Sequence, residues 1–336
     1  MKKIAIVGAS GLVGQVLLEQ LINGMKLPPD YFVLFASNKN TDTQQRCGER
    51  VFNLEKLSEE WLPKVDVWFF AAPAIVSQHW IPIILKNSSA VCIDGSCAFR
   101  LDDDVPLIIP EINGQELTGK ERLIASPNCT TSIGLMPLWP LHKVFHLKRF
   151  WGHSYQAASG MGAGGVKELK AQLDAYNAGN VMQVHHFYRP LAFNAIPQIG
   201  PFDVDGNSEE ERKFVMESRK ILREDKIKIF ANCVRVPVLR CHSIAISAEF
   251  ARKLDLNVAK EILKHAPGIH FCENDYPTAL EYSGKLKCGV GRLRYDDALD
   301  NGLAMWVVGD QLLKGAALNM LQIFQRWAEL THWSAE

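Results

Sequence analysis

Apolar residues in the first 130 positions fall into short runs separated by helical or loop segments. The runs lie at 3–8, 31–37, 65–72, 90–96, 107–112 and 122–126. Apolar strands without clean alternation are typical of a parallel sheet that is covered on both faces. Residues 11–24, after the first run, repeat apolar side chains at helical spacing. The pattern therefore predicts an α/β domain.

The pattern changes after about residue 130. Runs at 151–159 and 233–250 alternate apolar and polar positions, which predicts a sheet with one solvated face. Helical spacing recurs at 163–177, 208–223, 256–265 and, at the end of the chain, 309–330. We therefore expect a second domain of the α+β class.

The length of the chain agrees with two domains, and its charge indicates which kinds of partner it can bind. The chain has 336 residues, above the roughly 250–300 at which one hydrophobic core usually stops growing. Its 37 basic and 37 acidic side chains give no net charge, which argues against binding to nucleic acid or an anionic membrane. No apolar run approaches the roughly 18 residues of a membrane span. A soluble protein that binds a small molecule is expected.

Cysteine and histidine usage predicts neither disulfides nor a metal site. The eight cysteines are scattered, none forms a CxxC pair, and we see no secretory signal. The pair His185-His186 has no carboxylate or cysteine at metal-ligand spacing. Free thiols in a reducing cytoplasm are the expected state.

Three glycines follow the first predicted strand in the sequence Gly8-Ala-Ser-Gly11-Leu-Val-Gly14. Glycine lets the backbone approach a pyrophosphate at a helix N-terminus, although the spacing GxxGxxG differs from the regular GxGxxG and a plain tight turn is the alternative. Ser37-Asn38-Lys39-Asn40 follows the second strand, where an acidic residue would favour NAD. We therefore predict a Rossmann-like domain that binds NADP, with contacts from Gly8, Ser10, Gly11, Leu12, Val13, Gly14, Ser37, Lys39 and Asn40.

Cys129 has two interpretations. In Ser126-Pro-Asn-Cys129-Thr-Thr-Ser132 the proline ends a strand and the later polar residues can open a helix. A sulfur near a helix N-terminus is stabilised as a thiolate, the form needed in a nucleophile. A small buried thiol between capping residues fits the same pattern.

A cysteine nucleophile needs a base, and His242 is the candidate. Arg235 and His242 are an odd number of positions apart, so an unbroken strand would point them to opposite faces, and a bulge or turn near Pro237 is required for one site. A surface arginine and a core histidine are the alternative. Glu210 and Lys213 lie three positions apart on one face of a predicted helix that begins with a capping box at 208–211. A solvated ion pair is the usual role of such residues.

Several ordered motifs give the chain a specific resemblance over nearly its whole length. They are VGASGLVG, FRLDDDVPLIIPEIN (99–113), SPNCTTS, SYQAASGMGAGG (154–165), LAFNAIPQI (191–199), the start of the helix at 210–213, RVPVLRCHS (235–243), YPTAL (276–280) and NGLAMWVVGDQLLKGAALN (301–319). With these motifs the chain resembles the aspartate-β-semialdehyde dehydrogenase family.

The resemblance implies an NADP-dependent reductive dephosphorylation of L-aspartyl 4-phosphate to L-aspartate 4-semialdehyde, in the biosynthesis of lysine, threonine and methionine. It implies an NADP-binding domain of residues 1–130 plus 314–336, a catalytic and dimerisation domain of residues 131–313, and a homodimer or higher homo-oligomer.

The resemblance also implies a role for each site residue. Cys129 attacks the acyl phosphate, His242 is the general acid/base, with an ordinary pKa near 6.5, and Gln156 positions the acyl centre. Arg235 binds the substrate carboxylate and Glu210 its ammonium. The remaining implied contacts are Arg100, Asn128 and Lys213 to the phosphate, and Ser159, Gly160 and Gln311 to the cofactor.

The chain shows four departures from the family pattern, the first of which covers two residues, and they leave alternatives open. Lys39-Asn40 stands where Arg-Ser is common, Cys241 where glycine precedes the histidine, and Gln311 and Leu313 where asparagine and arginine are usual. One alternative is a catalytically altered or non-enzymatic paralogue. The other is an N-acetylglutamyl-phosphate reductase, whose substrate has no free ammonium for Glu210 to bind.

Overall fold

The computed structural model describes residues 2–37 and 43–334. The chain divides into two units. The first unit comprises Met1–Asn128 and Ala316–Glu336, and the second comprises Cys129–Gly315. Lys39 and Asn40, predicted to bind the cofactor, lie outside the described residues.

Strands and helices are numbered in chain order over the described residues. The strands are β1 Ile4–Val7, β2 Phe32–Phe35, β3 Gln44–Cys47, β4 Arg50–Glu55, β5 Val67–Phe70, β6 Val91–Asp94, β7 Leu123–Ala125, β8 Leu147–Gln156, β9 Lys228–Arg235, β10 His242–Phe250, β11 Ile269–Phe271, β12 Cys288–Tyr295 and β13 Gly302–Gly309. The helices are α1 Leu12–Glu19, α2 Ala74–Asn87, α3 Pro110–Asn113, α4 Cys129–Phe145, α5 Gly162–Asn177, α6 Glu209–Leu222, α7 Leu256–His265, α8 Ala279–Tyr282 and α9 Leu318–Thr331.

Seven strands of the described chain form the sheet of the first unit, in the order β3-β4-β2-β1-β5-β6-β7. Apart from β3, which runs antiparallel to β4, the neighbouring strands are parallel. All residues of β1, β2, β5 and β6 are buried, as the unbroken apolar runs predicted. Strand order reverses between β1 and β5, and dinucleotides bind at such a switch point, beyond the carboxyl ends of the strands.

One predicted strand is wrong. Within 107–112, Leu107 forms a single bridge to Ala125, and Pro110 begins helix α3. Proline has no N–H to donate and a φ that suits the first turn of a helix, so it ends the extended segment here.

The C-terminal helix α9 packs within the first unit. The ring of Phe324 lies edge-on to Phe69 of β5, with centroids 5.6 Å apart. The Asn319 side chain donates hydrogen bonds to the carbonyl oxygen of Ile108 and to Ser126 Oγ, both at 2.9 Å. The first unit is therefore built from both ends of the chain.

The second unit contains a mixed sheet of six described strands in the order β11-β12-β13-β10-β8-β9. Helices α4, α6 and α7 pack on one face. Gly152 of β8 allows this packing, because a Cβ at that position would overlap the ring of Phe214 in α6. The opposite face, which we call the open sheet face, carries the rings of Trp151, His153, Tyr155, Phe230 and Trp306.

Candidate active site and cofactor pocket

A cavity of about 510 Å³ lies at the carboxyl ends of the strands in the first unit. It is bounded by the ends of β1, β2, β4 and β5 and by the start of α2. The lining residues are Val7, Gly8, Ser10, Gly11, Phe35, Ala36, Ser37, Lys56, Leu57, Ala71, Ala72, Pro73, Val76 and Trp80. We call it the cofactor pocket, because it occupies the switch point at which dinucleotides bind.

Two glycines shape one wall of this pocket. Gly8 has φ +86°, and a Cβ there would overlap the carbonyl group of Ala71. A Cβ at Gly14 would overlap the carbonyl oxygen of Gly8 and lie 2.7 Å from the Ala9 Cα. The turn between β1 and α1 therefore requires glycine at both positions. It leads into the N-terminus of α1, where the first N–H groups lack partners within the helix, and such a helix start suits a pyrophosphate.

The structure places some of the predicted cofactor residues in this pocket. Gly8, Ser10, Gly11 and Ser37 line it, while Leu12, Val13 and the buried Gly14 form the first turn of α1 behind it. Ser159, Gly160 and Gln311 belong to the second unit, and their contact with the cofactor stays a prediction. Lys56 lines the pocket and was missed from sequence, because its position depends on the pairing of β4 with β2.

Arg100 and Asn128, predicted to bind phosphate, belong to the first unit, and both are buried. Arg100 Nε donates to the Ser126 carbonyl oxygen at 2.9 Å, and Nη2 donates to that of Gly95 at 2.8 Å. The guanidinium is therefore held in place by backbone before any ligand binds.

In the second unit, three predicted residues lie at the same edge of the sheet. Gln156 ends β8 and pairs with Arg235 at the end of the parallel strand β9. His242 begins β10, which runs antiparallel to β8 with Ser243 opposite Tyr155. The predicted run 233–250 is thus two strands, and the intervening segment 236–241 is the turn required to bring Arg235 and His242 to one edge. We call this edge, with Cys129 and Glu210, the catalytic edge.

Cys129 is the first residue of α4, as the SPNCTTS pattern predicted. Its side chain is half-buried, and a Cβ at Gly315 would lie 2.7 Å from the Cys129 Cβ. Gly315 therefore leaves room for the nucleophile candidate, a role that sequence reasoning missed. The signal was a glycine within the apolar, helical segment 309–330.

A buried hydrogen-bond network connects α4, β8 and α6. Gln156 Nε2 donates to Thr130 Oγ1 at 2.7 Å and to Glu210 Oε1 at 3.0 Å. Thr130 Oγ1 in turn donates to Glu210 Oε1 at 3.1 Å. The residue after Cys129 is thus tied to the two side chains predicted to position the substrate.

Arg235 is a buried cation whose charge interacts with Glu210 of this network. Its Nη1 donates to the Ala157 carbonyl oxygen at 2.7 Å. Burial lowers the pKa of Arg235 from its ordinary value, and the charge of Glu210, together with that of Cys129 in its thiolate form, opposes that shift. The electrostatic coupling places Cys129, Glu210 and Arg235 in one site.

His242 is fully buried and neutral at neutral pH. Burial, followed by the charge of Arg235, lowers its pKa to about 3, so the expected ordinary value near 6.5 is wrong for the folded protein. Nδ1 accepts a hydrogen bond from the Ala157 N–H at 3.1 Å, which puts the ring hydrogen on Nε2. Among the described residues, Nε2 has no hydrogen-bond partner.

Gly160 packs against both charged and neutral members of the catalytic edge. A Cβ added there would overlap Arg235 Nη1 and lie 3.4 Å from His242 Cε1.

Lys213, on the second turn of α6, pairs with Glu209 at 2.6 Å and remains partly exposed. The predicted capping box at 208–211 is present.

Two departures from the family pattern meet beside His242. Cys241 has φ +76°, in the left-handed region that favours glycine. Its backbone N–H donates to Gln311 Oε1 at 2.7 Å, and Gln311 Nε2 donates to Ser159 Oγ. Gln311 therefore holds the backbone that carries His242.

Over residues 2–37 and 43–334, no group of three His, Cys, Asp or Glu side chains is arranged to hold a metal ion. No helix in the same part of the chain has the length and apolar character needed to cross a membrane.

Comparisons with known proteins agree with this architecture. The family model "Semialdehyde dehydrogenase, NAD binding domain" matches residues 3–120, and "Semialdehyde dehydrogenase, dimerisation domain" matches residues 138–314. The aspartate-semialdehyde dehydrogenase of Aquifex aeolicus is 37% identical over 329 residues, covering 96% of each chain. That of Synechocystis sp. is 38% identical over 332 residues, covering 97% of each.

A solved structure agrees over the same length. The crystal structure of aspartate semialdehyde dehydrogenase II from Vibrio cholerae matches with a TM-score of 0.93 and 32% identity, covering 98% of this chain and 99% of that one. On these matches, the chain is an oxidoreductase that belongs to the aspartate-semialdehyde dehydrogenase family.

Proposed function

We propose that this protein catalyses the NADP-dependent interconversion of L-aspartyl 4-phosphate and L-aspartate 4-semialdehyde through a thioester on Cys129. One observation carries the proposal: the catalytic edge combines a cysteine at a helix start with Gln156, Glu210, Arg235 and His242. These groups match the thiol, the two substrate charges and the proton donor that the reaction requires.

Cys129 is the nucleophile in this proposal. The N-terminus of α4 and the buried Arg235 both place positive charge near the sulfur, which favours the thiolate. The thiolate attacks the acyl carbon, the C–O bond to phosphate breaks, and inorganic phosphate leaves with the bonding electron pair. A thioester remains on Cys129.

His242 acts as a donor at Nε2. Because Nδ1 already accepts from Ala157, the neutral ring offers a hydrogen at Nε2 and no lone pair there. It can therefore stabilise negative charge on the acyl oxygen during attack and during reduction.

The charged side chains recognise the amino-acid part of the substrate. Arg235 is oriented by the Ala157 carbonyl, and an arginine fork matches a carboxylate. Glu210, oriented by Gln156 and Thr130, binds the ammonium. Arg100, Asn128 and Lys213 are the proposed phosphate contacts.

The first unit is proposed to bind NADP. The glycine turn of the cofactor pocket fits a pyrophosphate. The lining formed by described residues contains no carboxylate, the group that binds the free ribose 2′-hydroxyl of NAD. When bound in this pocket, NADPH would supply the hydride for reduction of the Cys129 thioester to the aldehyde, with the thiolate as the leaving group.

The second unit is proposed to form a homodimer through the open sheet face. Tyr155 and Phe230 are exposed there, and the Tyr155 and Trp306 rings lie 5.6 Å apart. An aromatic sheet face suits an isologous interface, and the matched family model is described as a dimerisation domain. Light scattering should give twice the chain mass, and Phe230→Glu should give the monomer mass.

A kinetic comparison tests the proposed reaction. NADP reduction is measured with aspartate semialdehyde plus phosphate, and separately with N-acetylglutamate semialdehyde plus phosphate. We expect turnover with the first substrate to exceed that with the second by at least about a hundredfold. Preference for the acetylated substrate would identify the other reductase, and no turnover with either would identify a paralogue without this chemistry.

A further inference from the structure

We propose that Lys56 recognises the 2′-phosphate of NADP and helps to determine the cofactor preference of this protein. The inference rests on the proposed use of NADP and adds a residue from a strand that the sequence motifs do not include.

The register of β4 places Lys56 beside the end of β2. The two strands are parallel, with Phe35 opposite Glu55, and the Ala36 N–H donates to the Glu55 carbonyl oxygen at 3.3 Å. Lys56 follows directly, next to Ala36 and Ser37. In Rossmann-like domains the end of the second strand is where the ribose 2′ position of the cofactor is read.

Distance separates this position from the pyrophosphate. The glycine turn follows β1, and the sheet order β4-β2-β1 puts two strand spacings between β1 and β4. Neighbouring strands lie about 4.8 Å apart, so Lys56 begins about 10 Å from the turn. The Lys56 side chain can therefore reach the adenosine ribose of a cofactor whose pyrophosphate is held at the glycine turn.

The pocket wall supports the same orientation. Leu57, Val76 and Trp80 form an apolar stretch of the lining next to Lys56 and pack on the core of the first unit. Such a surface suits an adenine ring. With the adenine there, Ser37 and Lys56 would be the lining residues that hold the 2′ substituent of its ribose.

The charge of Lys56 is available for a ligand. Its side chain is exposed. The other lining residues that the structure describes are uncharged. None of the ion pairs or side-chain hydrogen bonds found in the described part of the chain involves its ammonium group. An ammonium in a pocket lined otherwise by backbone, apolar and hydroxyl groups attracts a phosphate more strongly than a hydroxyl.

Binding experiments test Lys56 without relying on turnover. Calorimetry measures the Kd of adenosine 2′,5′-bisphosphate and of 5′-AMP, and fluorescence measures the Kd of NADPH and of NADH. We expect Lys56→Gln to raise the Kd of both 2′-phosphorylated ligands about tenfold and to leave the other two within about twofold. Lys56→Arg should restore the affinity for the 2′-phosphorylated ligands.

Lys64→Gln is the matched control. Lys64 is also an exposed lysine of the first unit, but it lies over the Trp61 ring at 4.9 Å and does not line the pocket. It should change none of the four constants. Equal changes for phosphorylated and unphosphorylated ligands in Lys56→Gln, or no change, overturn the inference.

The wild-type protein separates this inference from the proposed function. If the wild type binds NADPH and NADH equally, the NADP proposal fails and the role of Lys56 fails with it. If the wild type prefers NADPH and Lys56→Gln keeps the full preference, only the inference fails, and Lys39→Gln then tests the residues predicted from sequence.

Discussion

The cofactor pocket and the catalytic edge are organised by different means. The pocket is shaped by glycine backbone and apolar side chains, and its charged lining member, Lys56, is exposed. At the catalytic edge, Gln156, Glu210, Arg235 and His242 are buried, and each makes hydrogen bonds to other parts of the second unit. One region presents a shaped surface, and the other a network that is already assembled.

The difference has an energetic consequence. A side chain that projects from the pocket wall can be changed with an effect confined to its own ligand contact. A member of the buried network shares its partners, so its replacement leaves other polar groups unsatisfied and the effects of two changes do not add.

The largest effect is expected at Cys129. Cys129→Ser should reduce kcat by about a thousandfold or more, because a hydroxyl is scarcely ionised at neutral pH. The melting temperature and the Kd for NADPH should remain near the wild-type values. Cys97→Ser, at an exposed cysteine, should keep full activity. Substantial turnover by Cys129→Ser would make Cys129 a structural thiol.

Gly160 should matter to the catalytic edge more than to cofactor binding. In Gly160→Ala the new methyl group displaces the Arg235 guanidinium and contacts His242, so kcat/KM for aspartate semialdehyde should fall about a hundredfold. Gly114→Ala, where a Cβ would meet ordinary contacts at 3.5 Å, is the control. A loss confined to the Kd for NADPH would instead assign Gly160 to the cofactor.

Glu210→Gln tests recognition of the substrate ammonium. The amide oxygen can still accept from Gln156 and Thr130, but the negative charge is lost. The value of kcat/KM for aspartate semialdehyde should fall about thirtyfold, as expected for a charged hydrogen bond. Any residual activity with N-acetylglutamate semialdehyde should be unchanged. Glu224→Gln, at an exposed position after α6, controls for general charge.

His242 should make the protein less stable in acid. Its pKa is about 3 when folded and about 6.5 when unfolded, so the unfolded chain binds more protons between these values. This stabilisation is complete above pH 6.5 and is lost as the pH falls toward 3, by about 2 kcal/mol at pH 5. Urea unfolding at pH 7.5 and pH 5 should show that extra loss in the wild type relative to His242→Gln. Parallel losses in both proteins would contradict a buried neutral histidine.

The smallest effect is expected at Cys241, whose backbone has φ +76°. Cys241→Gly should be more stable than Cys241→Ala by about 1 kcal/mol, because glycine adopts this conformation without steric cost. At Cys233, a buried residue in the extended strand β9, the order should reverse. Urea unfolding of the four variants measures both differences. The same order at both positions would rule out strain at Cys241.

The sequence by itself determined the local elements that carry the chemistry. Apolar runs predicted both sheets, and the glycine spacing predicted the turn between β1 and α1. The SPNCTTS pattern placed Cys129 at a helix start, which the structure confirms. These features depend on neighbouring residues, since period, proline and glycine act within a few positions of the chain. The interruption at Pro110 was missed because a short apolar run fits strand and helix alike.

Only the tertiary structure decided which distant residues meet and what their surroundings do to them. Glu210 reaches Gln156 and Thr130 across 54 and 80 positions of the chain, and Lys56 reaches the end of β2 through strand pairing. The burial that keeps His242 neutral comes from elements packed around β10. Such contacts depend on how sheets and helices pack, and no local pattern in the chain encodes a single partner for them.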